Sequence, residues 1–265
     1  MLTTVDFFDL ADFRHQAVFD QGPVWNALKG LKSYMDSLNY PAWNREIPLD
    51  QPLPATLVII DGKIIPAKGL TLDLGDATKG KMTISKDGQI LAGASVLMAG
   101  AILSGEKISL GRGVFVEAGA LIKSPAVIDD YTEIRQGAYL RGYCLIGKRC
   151  VVGHVTEVKH SIFLNDAKAG HFAYLGDSIL GNHVNLGAGT KLANLRFTGG
   201  EVPVKTPNGT MATGLRKFGA IMADNVQTGC NSVTNPGALL GKRSMLLPNT
   251  TSPSGYHPPN SIIKP

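Results

Sequence analysis

The sequence has few cysteines and no long apolar run. Its three cysteines, Cys144, Cys150 and Cys230, are an odd number with no C-x-x-C pair, which indicates free thiols in a reducing compartment. The longest apolar stretch, SVLMAGAIL, is far shorter than the roughly 20 residues of a membrane span. The N-terminus, MLTTVDFFDLADFRHQ, has early acids and lacks the apolar core of a signal peptide. The sequence therefore predicts a soluble, cytoplasmic protein without a membrane partner.

Charge is also sparse. Charged residues make up 18% of the chain, and 26 Lys and Arg against 21 Asp and Glu leave a net charge of +5. This excess is too weak and too dispersed to indicate nucleic-acid binding, but it is compatible with an anionic small molecule. No pair among His154, His160 and His183 has the context of metal ligands, so no metal site is predicted.

Glycine is abundant, with 31 residues spread along the chain, and spread glycines indicate many tight turns. An aliphatic residue also recurs at every sixth position, and a small or β-branched residue follows four places later in nearly every unit. Such a hexapeptide repeat predicts three short strands per 18-residue coil, stacked about 4.8 Å apart. The aliphatic positions are Leu110, Val116, Ile122, Ile128, Ile134, Leu140, Ile146, Val152, Val158 and Leu164.

The repeat breaks twice. It resumes at Tyr174, Leu180, Leu186 and Leu192, and the ten-residue step from Leu164 to Tyr174 predicts a bulge that contains His171. The Gly-, Pro- and Thr-rich residues 196–216 predict a loop projecting from the coil. The repeat returns at Met222, Thr228, Thr234, Leu240 and Leu246, before a proline-rich cap.

Residues 1–95 do not follow the period. PVWNALKGLKSYMDSL has helical spacing, and ATLVIIDGKIIPAKGLTLDL predicts two strands around the Asp61–Gly62 turn. We therefore predict a mainly β protein, with a small α+β cap or docking segment over 1–95. A parallel β-helix domain over 96–265 would follow it, with loop 196–216 inserted.

A coil of 18 residues places Lys123, Arg141 and Lys159 above one another. Three like charges at this spacing repel unless an anion lies among them, so the stack favours a phosphate or carboxylate site. The alternative is a solvated surface on which the three side chains splay apart.

The stretch TEVKHSIFLNDAKAGHFAYLGDSILGNHVNLGAGTKLANL, with RKFGAIMADNVQTG further on, resembles a known family. It is similar to the acetyltransferase half of the bifunctional N-acetylglucosamine-1-phosphate uridyltransferase/glucosamine-1-phosphate acetyltransferases. The resemblance implies a left-handed parallel β-helix, a homotrimer with active sites between subunits, and acetyl-CoA as cosubstrate. It also implies a place in UDP-N-acetylglucosamine biosynthesis. The family's Gly-rich uridyltransferase motif is absent, so no nucleotidyltransferase active site is expected, and a separate nucleotidyltransferase is a potential partner.

The resemblance assigns roles to individual positions. It makes His171 the catalytic base and places Asn194 beside the acetyl group. It assigns acetyl-CoA contacts to Ala188, Cys230 and Pro248. The implied sugar-phosphate contacts are Arg141, Lys159, Tyr174, Asn185 and Lys217. This chain departs from the family at Leu195, where the family has tyrosine, and at Cys230 and Pro248, where the family has serine and alanine.

The chemistry agrees with these roles. An amine must lose a proton to attack a thioester, and an imidazole, whose pKa is ordinarily about 6.5, is suited to accept it. Backbone N–H groups of the GAGT turn, or the Asn194 amide, would stabilise the oxyanion. A structural histidine is the alternative for His171. Glu157 either orients charges in the site or is a plain surface acid, and Asp177 is expected to support a turn.

The sequence thus predicts an acetyl-CoA-dependent N-acetyltransferase that acts on an amino-sugar phosphate, glucosamine-1-phosphate or a similar molecule. Two alternatives remain. One is an acyltransferase with a different acceptor on the same scaffold. The other is a non-catalytic module that binds sugar or coenzyme A and partners a nucleotidyltransferase through residues 1–95.

Overall fold

The computed structural model describes residues 2–19 and 22–265. The N-terminal part contains the α-helices α1 (Thr4–Phe7) and α2 (Asn26–Asp36), and 3-10 helices at Gln16–Val18, Ala42–Glu46 and Ala77–Lys79. Its strands are β1 (Leu57–Ile60), β2 (Lys63–Pro66), β3 (Thr71–Leu74), β4 (Met82–Lys86) and β5 (Gln89–Ile90). The helix in PVWNALKGLKSYMDSL is confirmed, with Leu28, Leu31 and Met35 on its buried face. The hairpin is also confirmed, because Ile60 pairs with Lys63 across a turn whose two residues have positive φ.

Short strands then follow in steps of about six residues. The first group is β6 (Ser95–Leu97), β7 (Ile102–Ser104), β8 (Ile108–Leu110), β9 (Phe115–Val116), β10 (Leu121–Lys123), β11 (Ala126–Ile128), β12 (Glu133–Ile134), β13 (Tyr139–Arg141), β14 (Cys144–Ile146), β15 (Val151–His154), β16 (Glu157–Lys159), β17 (Ser161–Phe163), β18 (Lys168–His171), β19 (Tyr174–Gly176), β20 (Ile179–Leu180), β21 (Asn185–Leu186) and β22 (Lys191–Leu192). The second group is β23 (Val204–Thr206), β24 (Gly209–Met211), β25 (Ala220–Met222), β26 (Gln227–Thr228), β27 (Val233–Thr234), β28 (Ala238–Leu240), β29 (Met245–Leu246), β30 (Thr251–Ser252), β31 (Gly255–His257) and β32 (Ile262–Ile263).

These strands stack into three parallel sheets, which confirms the β-helix fold class. Sheet A has the order β2-β1-β6-β9-β12-β15-β18-β21-β26-β29-β32, in which β1 and β2 are antiparallel additions. Sheet B runs β7-β10-β13-β16-β19-β22-β27-β30, and sheet C runs β8-β11-β14-β17-β20-β25-β28-β31. Consecutive strands pass from one sheet to the next, so across the described residues the chain forms a solenoid of about nine turns. The tail predicted to be a cap contributes β31 and β32 to this stack.

The interior of the solenoid is a column of apolar side chains, and each Val, Leu, Ile or Phe in it contributes roughly 1.5–3 kcal/mol on burial. Its middle members are Ile134, Leu140, Ile146, Val152, Val158, Phe163, Ala169, Leu175, Leu180, Leu186 and Leu192. The step from Val158 to Phe163 is five residues, because the coils here contain 17 residues instead of 18. Thus Cys144 pairs with Ser161, and Glu157 pairs with Tyr174.

The predicted bulge between Leu164 and Tyr174 is therefore wrong. His171 ends a regular strand, β18, which pairs with β15 and β21. The prediction failed because Leu164 is apolar for another reason. It is fully buried, but it faces outward into a second apolar cluster instead of into the solenoid. Leu175, not Tyr174, is the interior residue of the next strand.

That second cluster lies on the outer face of sheet C. The central residues of its strands form an apolar stripe, in register from coil to coil: Val127, Leu145, Ile162, Ile179, Ile221 and Leu239. Phe7, Trp25 and Leu28 of the N-terminal segment pack on this stripe. Sheet C is thus covered on both faces, which explains the nearly continuous apolar runs of its strands.

Residues 196–216 do not project freely from the coil. They contain the β23–β24 hairpin, and Val202 and Val204 are buried in the cluster that also holds the N-terminal segment. The ring centroids of Trp25 and Phe218 lie 6.4 Å apart at this junction. Among the described residues, no helix combines the length and the apolar composition that a membrane crossing needs.

Candidate functional site

Four predicted site residues lie on one edge of the solenoid, where the chain passes from sheet A to sheet B. We define the AB edge as Gln136, His154, His171, Ala188, Cys230 and Pro248. From His154 onward, the residue after each edge position donates its backbone N–H to the edge carbonyl of the preceding coil. These bonds join Val155 to Gln136 (3.3 Å), Phe172 to His154 (2.8 Å), Gly189 to His171 (3.0 Å), Asn231 to Ala188 (2.8 Å) and Asn249 to Cys230 (2.9 Å). With coils about 4.8 Å apart, the three steps from His171 to Pro248 span about 14 Å.

The His171 side chain is exposed at this edge. Its ring centroid lies 6.3 Å from that of Phe172, and among the described residues neither ring nitrogen has a hydrogen-bond partner. His154, on the neighbouring strand β15, is paired in register with His171. Nδ1 of His154 lies 3.0 Å from the Gln136 carbonyl oxygen. A carbonyl oxygen only accepts, so Nδ1 of His154 bears a proton. The imidazole of His171 is open to an incoming ligand.

The Gly-rich GAGT turn lies one coil further along the edge. Its Gly187 N–H donates to Thr228, its Gly189 N–H donates to His171, and its Thr190 N–H donates back to Gly187. These three amides are therefore engaged within the chain. The Ala188 N–H has no acceptor in the described part of the chain, and its residue is partly exposed. Of the turn amides predicted as oxyanion donors, only that of Ala188 remains available.

The outer face of sheet B holds the predicted phosphate contacts. Lys123 pairs with Arg141 in register, and the neighbouring strand places Lys159 in the next coil, as the sequence predicts. Arg141, however, already has a counter-charge, because its Nη1 lies 2.6 Å from Oε1 of Glu157. This hydrogen bond raises the pKa of the Arg141 guanidinium above its ordinary value.

Tyr139 relieves the remaining repulsion in the stack. Its ring lies 5.6 Å from Nζ of Lys123 and 5.8 Å from the Arg141 guanidinium, within the range of a cation–π contact. Glu157 thus neutralises Arg141, and Tyr139 lies against Lys123 and Arg141, but neither contact reaches Lys159. The anion site at this stack stays a prediction, and of the two interpretations of Glu157 the structure favours the one in which it orients charge.

Two predicted cations remain without a partner. Neither Lys159 nor Lys217 has an ion pair or a side-chain hydrogen bond within the described ranges. Lys217 is exposed and precedes Phe218, whose N–H donates to the Asn194 carbonyl oxygen at 2.9 Å. The return of the chain from the hairpin therefore places Lys217 beside Asn194, at the border of sheet B.

A hydrogen-bonded cluster lies at the same border. Asn194 Nδ2 donates to Oδ2 of Asp177 at 2.6 Å, and the Tyr174 hydroxyl donates to Oδ1 of Asn194 at 3.4 Å. His160 Nδ1 lies 2.9 Å from the other Asp177 oxygen. The predicted site residues Tyr174 and Asn194 are thus brought into one network. The role predicted for Asp177, support of a turn, does not include these contacts.

Asn185 is not part of that face. It lies on the outer face of sheet A, exposed and in register with Lys168 and Gln227. The described chain therefore brings His171, Ala188, Cys230 and Pro248 together on the AB edge, and Arg141, Lys159, Tyr174, Asn194 and Lys217 together on sheet B. Asn185 is separated from the second group within one chain.

Sequence reasoning missed three polar residues near the site. Lys191 pairs in register with Tyr174, Tyr139 contacts both Lys123 and Arg141, and His160 binds Asp177. The step of 17 residues from Tyr174 to Lys191, and from His160 to Asp177, would have revealed two of them. No group of three or more potential metal-ligating side chains occurs among residues 2–19 and 22–265.

Comparison with known proteins confirms the resemblance found in the sequence. A family model described as the GMPPB C-terminal domain matches residues 122–209. The bifunctional sugar-1-phosphate nucleotidylyltransferase/acetyltransferase of Sulfurisphaera tokodaii is 34% identical over 151 residues, which are 50% of this chain and 38% of that protein. The bifunctional protein GlmU of Methanococcus vannielii is 38% identical over 109 residues, which are 41% of this chain and 26% of that protein.

The chain thus spans well under half the length of these relatives. Among solved structures, the UDP-N-acetylglucosamine acyltransferase of Francisella novicida is similar over 60% of this chain and 56% of that one, with a TM-score of 0.47 and 14% identity. The relatives establish that the sequence is homologous to bifunctional nucleotidylyltransferase/acetyltransferases.

Proposed function

We propose that this chain transfers the acetyl group of acetyl-CoA to the amine of an amino-sugar phosphate such as glucosamine-1-phosphate. The observation that carries the proposal is the AB edge, where an exposed imidazole heads a line of three small exposed or partly exposed residues. The names of the relatives, which include acetyltransferase, support the reaction class.

The residues of the AB edge fit an extended pantetheine arm. Ala188, Cys230 and Pro248 have small side chains at successive coils, and the last two are exposed. The line of about 14 Å gives such an arm room to run along the edge with its acetyl group at His171. The unpaired Ala188 N–H, adjacent to His171, is suited to donate to the oxygen that becomes negative in the tetrahedral intermediate.

The proposed reaction is a direct acyl transfer. The amine nitrogen forms a bond to the acetyl carbon, the carbon–sulfur bond breaks, and coenzyme A leaves as a thiol. His171 accepts the proton that the amine loses, and the leaving sulfur is protonated in turn. No covalent bond to the chain is needed, so the main task of the site is to hold the amine beside His171.

Lys159 and Lys217 are the cations best suited to hold the phosphate, since neither is already paired. Tyr174 lies on the same face, in register with Glu157 on the neighbouring strand. Asn185, on sheet A, would then complete the site from a second copy of the chain. We propose a homotrimer with sites between subunits on this ground, and a separate nucleotidyltransferase as a partner remains a proposal from the resemblance.

A second candidate is acyl transfer to an acceptor without phosphate. One observation favours it, since Glu157 already neutralises Arg141 and its carboxylate would repel a phosphate close to that guanidinium. Leu195, half-exposed where the family has tyrosine, lies beside Asn194 and would alter the shape of the acceptor site.

A substrate panel separates these candidates. The purified protein is mixed with acetyl-CoA and, in turn, glucosamine-1-phosphate, another amino-sugar phosphate, glucosamine, and a nucleotide-linked amino sugar. Released thiol is followed with Ellman's reagent, and the product is identified by its mass increase. Acetylation of the phosphates alone supports the first candidate, and acetylation of glucosamine at equal efficiency supports the second.

The control for the variant His171→Ala is His183→Ala. His183 is an exposed histidine at a different corner of the solenoid. This control should turn over like the wild type. Binding of acetyl-CoA without any acetylated product from the panel would contradict both candidates for these acceptors, and would favour a different acceptor or a binding module.

A further inference from the structure

A buried carboxylate beside the candidate site takes no part in the transfer proposed above. Asp177 is only 6% exposed and follows β19 with a φ of +50°, a conformation that Asp tolerates better than most residues. Its N–H donates to the Lys159 carbonyl at 2.9 Å, and its own carbonyl accepts the Gly219 N–H at 2.9 Å. The backbone of Asp177 is thus hydrogen-bonded to both neighbouring coils, which fixes the position of its Cα atom.

Both carboxylate oxygens of Asp177 are engaged. Oδ2 accepts from Asn194 Nδ2 at 2.6 Å, and Oδ1 accepts from His160 Nδ1 at 2.9 Å. An ionised carboxylate only accepts, so Asn194 must turn its NH₂ group toward Asp177 and its Oδ1 away. The Tyr174 hydroxyl donates to that Oδ1, and burial, followed by the charges of Glu157 and Asp177, raises the Tyr174 pKa and keeps this donor protonated.

The space for this arrangement is left by a glycine. A Cβ on Gly176 would lie 2.4 Å from Asn194 Nδ2 and 2.7 Å from the Tyr174 hydroxyl oxygen. Gly176 therefore allows both polar groups to lie against the backbone directly above Lys159, its register partner. The cluster depends on Gly176 for room and on Asp177 for orientation.

We propose that Asp177 is a positioning residue, which fixes the Asn194 carboxamide so that its second N–H, and not its oxygen, is presented to the acetyl group that the resemblance places beside Asn194. This inference rests on the proposed acetyl transfer. A carboxamide presents a donor or an acceptor depending on a rotation of about 180°, and only the donor stabilises a developing oxyanion. His160 holds the second oxygen of Asp177 and so limits rotation of the carboxylate.

A double-mutant cycle tests the proposal. Asp177→Asn keeps the shape of the side chain but lets residue 177 donate as well as accept, so Asn194 can rotate. We expect kcat to fall about 10- to 100-fold, as for loss of a hydrogen bond to a charged group, with the KM for acetyl-CoA nearly unchanged. In the Asn194→Ala background, Asp177→Asn should change kcat less than twofold, because its effect passes through Asn194. An equal loss in both backgrounds would overturn the proposal.

Gly176→Ala provides a second perturbation of the same cluster. Its Cβ displaces the Asn194 amide without removing any charge, so we expect a similar loss of kcat that is again absent in the Asn194→Ala background. Asp166→Asn is the matched control, because Asp166 also has a positive φ but pairs with Arg149 away from the site. It should leave kcat unchanged, and a loss equal to that of Asp177→Asn would contradict a specific role.

A spectroscopic measurement keeps the inference separate from the proposed function. In protein labelled with ¹⁵N-asparagine, the Asn194 side-chain amide is assigned by its disappearance in Asn194→Ala. We expect one of its two protons to be shifted downfield and slow to exchange, and to lose both properties in Asp177→Asn. Absence of acetyl transfer with these signals present would contradict only the proposed function. An amide with two equivalent, rapidly exchanging protons would overturn the inference.

Discussion

The pairing of β15 with β18 depends on a glycine that can be tested directly. A Cβ on Gly153 would lie 1.8 Å from the Gly170 carbonyl oxygen and 2.1 Å from the Gly170 carbonyl carbon. Ordinary contacts of a Cβ begin near 3.4 Å, so Gly153→Ala requires the two strands to separate by about 1.6 Å. Strands are spaced about 4.8 Å apart, and this separation would break hydrogen bonds between β15 and β18.

Gly153→Ala should destabilise the folded chain through overpacking and through the loss of backbone hydrogen bonds. Overpacking costs about 1–3 kcal/mol, and each lost backbone hydrogen bond adds about 1 kcal/mol. We expect Gly153→Ala to lower the free energy of unfolding by about 2–4 kcal/mol, and Tm by roughly 5–15 °C. Acyl transfer should fall as well, because β18 ends at His171.

Gly170→Ala is the matched control. A Cβ on Gly170 would have no atom within 4 Å, and the φ of Gly170 is not positive. This variant should keep the wild-type Tm or raise it slightly, since alanine has less conformational entropy than glycine in the unfolded chain. Differential scanning calorimetry of the three proteins makes the comparison. Equal Tm values for the two variants would refute the tight contact between β15 and β18.

Burial raises the pKa of Cys144 to about 12 and also raises that of Cys150, whereas Cys230 is exposed. N-ethylmaleimide at pH 8 should therefore label one thiol per folded chain by mass spectrometry, and saturating acetyl-CoA should slow this labelling if the AB edge binds it. Glu157→Gln frees Arg141 and should lower the KM for a phosphate-bearing acceptor about two- to fivefold, with no change for a neutral acceptor. Hydrogen bonds from Lys79 and Thr78 lower the pKa of Asp76 to about 2. Because a depressed pKa stabilises the folded state above the unfolded value of about 3.9, the Tm deficit of Asp76→Asn should be present at pH 5 and shrink between pH 4 and pH 2.

The six-residue period predicts the fold because each coil has the same requirement, an aliphatic side chain pointing inward. It does not predict the change from 18 to 17 residues after Cys144, because the outward face of sheet C is also apolar there. Leu164 then occupies a place in the period although it packs against the N-terminal segment. Periodicity alone cannot tell an inward aliphatic residue from one covered by another part of the chain.

The site could be predicted in part for a similar reason. The stacking of Lys123, Arg141 and Lys159 follows from repeat length alone, but their charge balance depends on Glu157 and Tyr139, which lie two positions earlier in each strand. The contact of His160 with Asp177 requires the 17-residue coil, so a search at 18 residues misses it. Burial of the N-terminal segment on sheet C has no motif in the sequence.

In the proposed reaction, His171 removes a proton from an amine during acetyl transfer at the AB edge. The most direct measurement is the rate of coenzyme A thiol release by the wild type and by His171→Ala, with both substrates saturating, together with acetyl-CoA affinity by calorimetry. The base role of His171 predicts a loss of about 10²- to 10⁴-fold in kcat for His171→Ala, with affinity for acetyl-CoA little changed. A variant that releases thiol at the wild-type rate would contradict it.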